Sequence, residues 1–256
     1  MADFVKRNPA APEGFFAAEA AGLRWLAAAG GVRCVRVIAH DATSLTLERL
    51  ASTAPSRSAA GEFGAALAVT HDAGAESFGA GPPGWPGAGF FGPLSRPLPM
   101  SLTGHPRWGE FYAEERLRPM AALAGPRLSP RGRDAVEQVV ELCRAGTFDD
   151  EDGPARLHGD LWSGNVMWTT GGVVVIDPAA HGGHRETDLA MLALFGCPFL
   201  DEVLAGYRSV RPLRAGWDER IGLHQAYPLL AHVALFGGGY AGRAEAALAS
   251  AVSGVS

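Results

Sequence analysis

Lysine is nearly absent from this chain. Lys6 is the only one among 22 basic residues, so every other strong base is an arginine. A lone ammonium in such a background is a compact point charge, suited to phosphate or to a buried carboxylate. Cysteine is scarce as well: Cys34, Cys143 and Cys197 lie far apart, form no CxxC pair and are odd in number. That pattern points to free buried thiols in a reducing, cytoplasmic setting. No uninterrupted apolar run approaches the roughly 18 residues of a membrane span. The first residues set Asp3, Lys6 and Arg7 around only Phe4 and Val5, which is no signal-peptide pattern. There is no Lys/Arg run, and a net charge of −5 gives no general attraction to nucleic acid. Internal repeats are absent too. What remains is a chain of 256 residues, 47% hydrophobic, able to bury a core in one large domain or two small lobes.

Patterning divides the chain. Residues 3–6 read as the end of a short strand, and Pro12 opens a helix that stops at Gly30-Gly31. Phe15, Leu23 and Leu26 share one face of that helix, with Glu19 between them. A carboxylate in an apolar stripe is costly unless paired. Either Lys6 on the preceding strand pairs with it, or the Ala-rich helix is loosely buried and Glu19 reaches water. Val32–Ala39 and Ser44–Leu47 alternate as two strands joined at His40-Asp41. Glu48-Arg49-Leu50 then leads into a Ser/Ala/Pro-rich connector over residues 51–60, the best lobe boundary. Helices are expected at Gly61–Glu76, Trp108–Leu123, Ser129–Arg144, Glu186–Phe195, Leu200–Tyr207 and Trp217–Phe236. Residues 79–99 are too rich in Gly and Pro for a regular helix or central strand. The two GxGxxG matches at Gly79 and Gly87 do not sit between a strand and a helix, so they read as loop rather than dinucleotide turn.

The chemistry concentrates in one tract. Residues 157–165 read Leu-His-Gly-Asp-Leu-Trp-Ser-Gly-Asn, and Val174-Val175-Ile176-Asp177-Pro178 follows after a short apolar run. Asp160 and Asn165 share a loop punctuated by Gly159 and Gly164. A hairpin over Val166–Trp168 and Val173–Ile176, turning at Gly171-Gly172, brings Asp177 back beside that loop. One carboxylate can take the proton of an attacking hydroxyl. The Asn oxygen and the second carboxylate are hard ligands suited to Mg²⁺, which neutralises transferring phosphates. The spacing matches the H-x-D-x-x-x-x-N loop and metal Asp of kinase-like enzymes. His181 and His184 stand at i, i+3, but no third zinc ligand lies near them in sequence.

With Phe4-Val5-Lys6, Ile176-Asp177-Pro178, the tract Gly183-His-Arg-Glu-Thr-Asp-Leu-Ala-Met191 and the stretches Gly89–Gly92, Trp108–Tyr112 and Arg116–Pro119, the chain resembles the fructosamine-3-kinase (ketosamine-3-kinase) family. That family belongs with the aminoglycoside-phosphotransferase and protein-kinase-like folds. The resemblance implies an α+β two-lobe fold, with a reduced N-terminal β lobe and hinge over 1–50 and a mostly helical C-terminal lobe over 51–256. It implies ATP and Mg²⁺, and phosphorylation of the 3-hydroxyl of a small-molecule ketosamine or glycated protein. Asp160 would be the catalytic base, and Asn165 and Asp177 the metal ligands. Lys6, kept in place by Glu19, would meet the nucleotide phosphates, and Glu48, Arg49 and Leu50 would form the adenine-reading hinge. Trp162 would face the sugar-amine, while His158 and Asp188 would support the catalytic loop.

One departure stands out. In the family, two strands and a phosphate-covering turn precede the lysine strand, whereas Lys6 stands almost at the first residue. Three expectations follow: a reading frame that begins further upstream, a shortened kinase with an uncovered γ-phosphate and weak turnover, or a non-catalytic binding pseudokinase. An aminoglycoside or choline-type acceptor is the other alternative. Residues 181–256 hold seven acids against six arginines, without the acidic surplus that such cations usually want.

Overall fold

The computed structural model describes residues 3–254. Its N-terminal part is a three-stranded antiparallel sheet of β1 (Phe4–Arg7), β3 (Val37–His40) and β4 (Ser44–Leu47), ordered β1-β4-β3. Helix α1 (Phe15–Ala27) packs against it. The helix begins after Pro12 rather than at it, because Pro12 to Phe15 closes as a turn (Phe15 N to Pro12 O, 3.1 Å). The expected single strand over Val32–Ala39 is two. β2 (Arg33–Cys34) runs parallel to the later strand β9 (Gly172–Val175), and the chain then crosses at Val35–Arg36 to join β4. Alternation alone cannot reveal such a change of partner, because both halves keep the same period.

Helix α2 (Arg57–Asp72) starts four residues before the expected Gly61, and the Ser56 hydroxyl caps it by accepting from Ala59 N. The Gly/Pro-rich tract makes only a two-stranded hairpin, β5 (Gly89–Phe91) with β6 (Leu98–Met100). Next comes a helix in three parts: α3 (Trp108–Phe111), a π-helical turn (Tyr112–Leu117) and α4 (Arg118–Ala124). Pro119 has no N–H for the Glu115 carbonyl, and Arg116 Nη1 donates to that oxygen instead at 2.9 Å. Helix α5 (Pro130–Arg144) begins as expected, with Ser129 capping it through Gly132 N at 3.0 Å. Strands β7 (Ala155–Leu157), β8 (Val166–Thr169), β9 and β10 (His181–Gly183) frame the catalytic-loop region.

Four helices complete the fold: α6 (Glu186–Leu194), α7 (Leu200–Val210), α8 (Ile221–Phe236) and α9 (Ala241–Ser253). The last is absent from the sequence reading. Its buried face is chiefly alanine, with Leu248, and gives a weak apolar stripe. Pro228 interrupts α8, where the Tyr112 hydroxyl fills the gap by donating to Leu223 O at 2.7 Å and accepting from Tyr227 N at 3.1 Å.

Two hydrophobic cores result. One joins α3–α5 to α8 and α9 through Trp108, Phe111, Leu230 and Leu248. The other joins α1 and the first sheet to α2, β8, β9 and α7, so it runs across the 51–60 connector. Leu23 and Leu26 of α1 are buried in it, each contributing about 1.5–3 kcal/mol.

Helices α2 and α7 approach closely because glycines face each other's backbone. A Cβ at Gly64 would collide with the Val203 carbonyl, and one at Gly206 with the Gly61 carbonyl. Gly64→Ala is therefore expected to destabilise the protein by about 1–3 kcal/mol through overpacking. Thermal denaturation checks this: an unchanged midpoint would mean that the helices can separate freely.

Candidate active site

The site is built outward from Asp188, on the first turn of α6 and fully buried. Its Oδ2 accepts from His158 N at 2.8 Å, and its Oδ1 from Gly159 N at 2.9 Å. His71 of α2 stands 3.2 Å from Oδ2, while its other ring nitrogen is 2.8 Å from the Tyr207 hydroxyl. Burial works against ionisation of Asp188, yet His71 and these backbone bonds hold its carboxyl below the usual range. The backbone on either side of the loop's first glycine is thereby pinned to the helical layer.

His158 is a second fastener. Its Nε2 donates to Ile176 O at 2.8 Å, and its Nδ1 accepts from Asp160 N at 3.3 Å. Burial lowers its pKa, consistent with a neutral ring locked in one tautomer. The loop and the strand leading to Asp177 are thus tied together.

Asp160, Asn165 and Asp177 then converge. Asn165 Nδ2 donates to Asp160 O at 2.7 Å, to Asp160 Oδ2 at 3.3 Å and to Asp177 O at 3.4 Å. Its nitrogen is committed, which leaves Oδ1 as the atom that could hold a metal ion. Burial raises the Asp160 carboxyl to about 7. Asp177 sits at φ 55°, a left-handed conformation uncommon outside glycine, and its carboxylate is 41% exposed toward the cavity. Two hard oxygen donors on one wall fit a magnesium ion.

Lys6 completes this wall from β1. Its Nζ lies 2.7 Å from Glu19 Oε1 and 2.9 Å from Asp177 Oδ1. Burial alone would lower the ammonium's pKa, but the two carboxylates hold it above the ordinary lysine value. Glu19 is 7% exposed, so of its two readings the paired one stands and the solvent-reaching one is corrected. Burying Leu23 and Leu26 nearby draws the helix face inward, and the carboxylate follows because the ammonium meets it.

These groups line a cavity of about 370 Å³. Trp162 lines it too, 39% exposed, its ring lying over Gly164, where a Cβ would strike the indole. Glu48, Arg49 and Leu50 are not among the cavity's lining residues. The Glu48 carboxylate accepts from Arg33 Nη2 at 3.2 Å and from Arg36 N at 3.0 Å. Arg49 Nη2 donates to Asp3 O at 3.2 Å, and Leu50 packs against the second core. The sequence reading missed Trp85, Phe90, His232, Leu235 and Phe236, which close the cavity. The Gly/Pro tract hid the first two. His232 had a signal, a lone polar residue in the apolar run of α8.

A cluster of His184, Glu186 and His224 also escaped notice, since its third member arrives from α8. Arg220 donates to both Glu186 oxygens (2.9 and 2.7 Å), His184 meets Asp150 at 3.1 Å, and His224 meets Thr187 at 3.0 Å. The acidic break at 149–152 is thus a set of counter-ions: Asp150 also binds Arg214 at 2.8 Å, and Asp152 binds Arg185 at 2.6 Å.

The fold is a kinase-like α+β one. A choline kinase from Streptococcus pneumoniae shares the fold at a TM-score of 0.63 and 15% identity, over 97% of this chain and 85% of that one. The family model for fructosamine kinase matches residues 2–253. The chain belongs to the fructosamine kinase family, a family of ATP-dependent phosphotransferases. A "Probable ketoamine kinase" of Synechocystis sp. is 37% identical over 247 residues, 94% of this chain and 80% of the relative. The crystal structure of a "putative fructosamine-3-kinase" from Thermobifida fusca superposes at a TM-score of 0.90 with 46% identity, over 98% of this chain and 85% of that one. No helix among the described residues is long and apolar enough to cross a membrane.

Removing the Asp188 carboxylate strands two loop amides and a buried imidazole. Asp188→Ala is expected to cost about 3–5 kcal/mol and to expose the His158 and Gly159 amides to hydrogen exchange. Retained protection at both would show that the loop is held elsewhere.

Proposed function

We propose that this chain transfers the γ-phosphoryl group of ATP to the 3-hydroxyl of a ketosamine, a fructosamine or ribulosamine, free or on a protein. The observation that carries this reading is the convergence of Lys6, Asp160, Asn165 and Asp177 on one wall of a cavity that Trp162 also lines, in a member of the fructosamine kinase family. Asp160 takes the proton from the substrate hydroxyl. The oxygen then bonds to the γ-phosphorus as the bridge to the β-phosphate breaks and ADP leaves. A carboxyl raised to about 7 is a base matched to neutral pH.

Asn165 and Asp177 would hold magnesium, which when bound neutralises charge on the phosphates. Lys6, oriented by Glu19, places its ammonium toward the α/β-phosphates. Glu48 to Leu50 would act as the hinge through backbone atoms, since the Glu48 side chain is already engaged. Trp162 offers an aromatic face to the sugar-amine. His158 and Asp188 do no chemistry and hold the loop. In this reading the lobes divide near residues 50 and 51, the protein works in the cytoplasm, and unstable phosphorylated product makes the biological outcome deglycation.

Mg²⁺-dependent ATP turnover with a small fructosamine tests the proposal. Asp160→Asn is expected to lower kcat by about 10²–10⁴-fold while nucleotide still raises the melting temperature. Turnover by Asp160→Asn at the unsubstituted rate would remove Asp160 from its role. Phosphate found on a hydroxyl other than the third would overturn the regiochemistry.

A further inference from the structure

Two chemically different sets of side chains line the cavity. Lys6, Glu19, Asp160, Asn165 and Asp177, joined by ion pairs and hydrogen bonds, make its charged end; Trp162, His232 and Phe236, joined by ring contacts directly or through Phe195, make with Leu235 its aromatic end. Behind the second end, Phe195 meets Trp162 edge-on at 6.0 Å and His232 at 5.0 Å, and Tyr240 lies 5.0 Å from His232. Trp162 and Phe236 are 39% and 57% exposed, large apolar faces left open at a cavity wall. Among the described lining residues the carboxylates are Glu19, Asp160 and Asp177, all at the first end. Two arginines border the aromatic end. Both are exposed, and each is engaged by a carbonyl: Arg96 donates to Leu235 O at 3.0 Å and Arg243 to Leu194 O at 2.9 Å.

His232 is the polar group of this end. Its Nδ1 lies 2.7 Å from Pro228 O, and because a carbonyl only accepts, Nδ1 carries the proton. Nε2 is then a lone-pair acceptor, and no described residue donates to it. Burial, with Arg243 adding to it, keeps the ring below the ordinary histidine value and so neutral at neutral pH. A neutral acceptor among aromatic faces, with no carboxylate at that end, suits an ammonium that also bears an apolar substituent.

We propose that this end reads the amine half of the ketosamine: His232 Nε2 accepts a hydrogen bond from the substrate's protonated secondary amine, and Trp162 and Phe236 flank the nitrogen and its substituent. The assignment rests on the ketosamine reading and goes beyond it by naming the residue that distinguishes an amine from other sugar ethers. Asp160 and Trp162 stand two positions apart on one loop, and the 3-hydroxyl and the C1 nitrogen of a ketosamine are likewise a few bonds apart.

The test compares 1-deoxy-1-propylaminofructose with 1-O-propylfructose, in which oxygen replaces the N–H donor. The ether is measured as a competitive inhibitor where it is not turned over. His232→Phe keeps a ring and removes the acceptor. It is expected to raise KM for the amine by about ten-fold with kcat within about two-fold, and to leave the ether unaffected. His232→Gln, which restores an acceptor, should recover part of the loss. Should His232→Phe fail to fold, Phe236→Ala at its exposed position serves: KM should rise more for a propyl than for a methyl substituent. Equal losses on amine and ether, or none on the amine, would overturn the assignment while leaving the ketosamine reading intact. Failure of the unsubstituted protein to phosphorylate any ketosamine would overturn that reading, and this one with it.

Discussion

The Lys6 ammonium is the contact on which the site depends. It reaches Glu19 on α1 and Asp177 at the end of the β9 hairpin at once, so one side chain joins three segments that lie apart in the chain. Burying a carboxylate costs several kcal/mol unless an opposite charge accompanies it. Glu19 could not face the core without Lys6, and α1 could not bury Leu23 and Leu26 without carrying Glu19 inward. Packing and electrostatics therefore impose one geometry. That geometry leaves Asp177, held by a single Lys6 bond, with a carboxylate open to the cavity.

Asp188 performs the matching task below. A fully buried carboxylate accepting two successive loop amides and facing His71 fixes the loop independently of whatever enters the cavity. Asp160 and Asn165 are then positioned by backbone rather than by their own side-chain entropy. Such preorganisation is what phosphoryl transfer demands, since positioning and charge stabilisation supply most of its catalysis. The cavity consequently has a charged, rigidly held end and an aromatic end. Only the first is tied into the core by ion pairs.

Much of the first end was legible in the linear sequence. The Asp160–Asn165 spacing, the glycines that make it a loop and the Val-rich hairpin returning Asp177 are local features within about twenty residues. Lys6 stood out because no other lysine exists. The aromatic end was not legible. His232 and Phe236 belong to α8, Trp162 to the loop and Phe90 to the hairpin at β5, so their meeting is a property of how helices and loops pack. The partners of the Glu48 side chain were not legible either: Arg33 and the Arg36 amide reach its carboxylate from the strand region before it.

Sequence alone determined most of the helices, the loop from Asp160 to Asn165 with its returning hairpin, and the family. All of these depend on short-range periodicity, turn residues and fixed spacings. Tertiary structure decided that the run over Val32–Ala39 serves two sheets, that Asp150 and Asp152 are counter-ions to Arg214, Arg185 and Arg211, and that His232 opens onto the cavity. The physical reason is the same in each case. A strand's partner, a carboxylate's counter-charge and a ring's free lone pair are fixed by what another part of the chain brings alongside, and no local pattern encodes that.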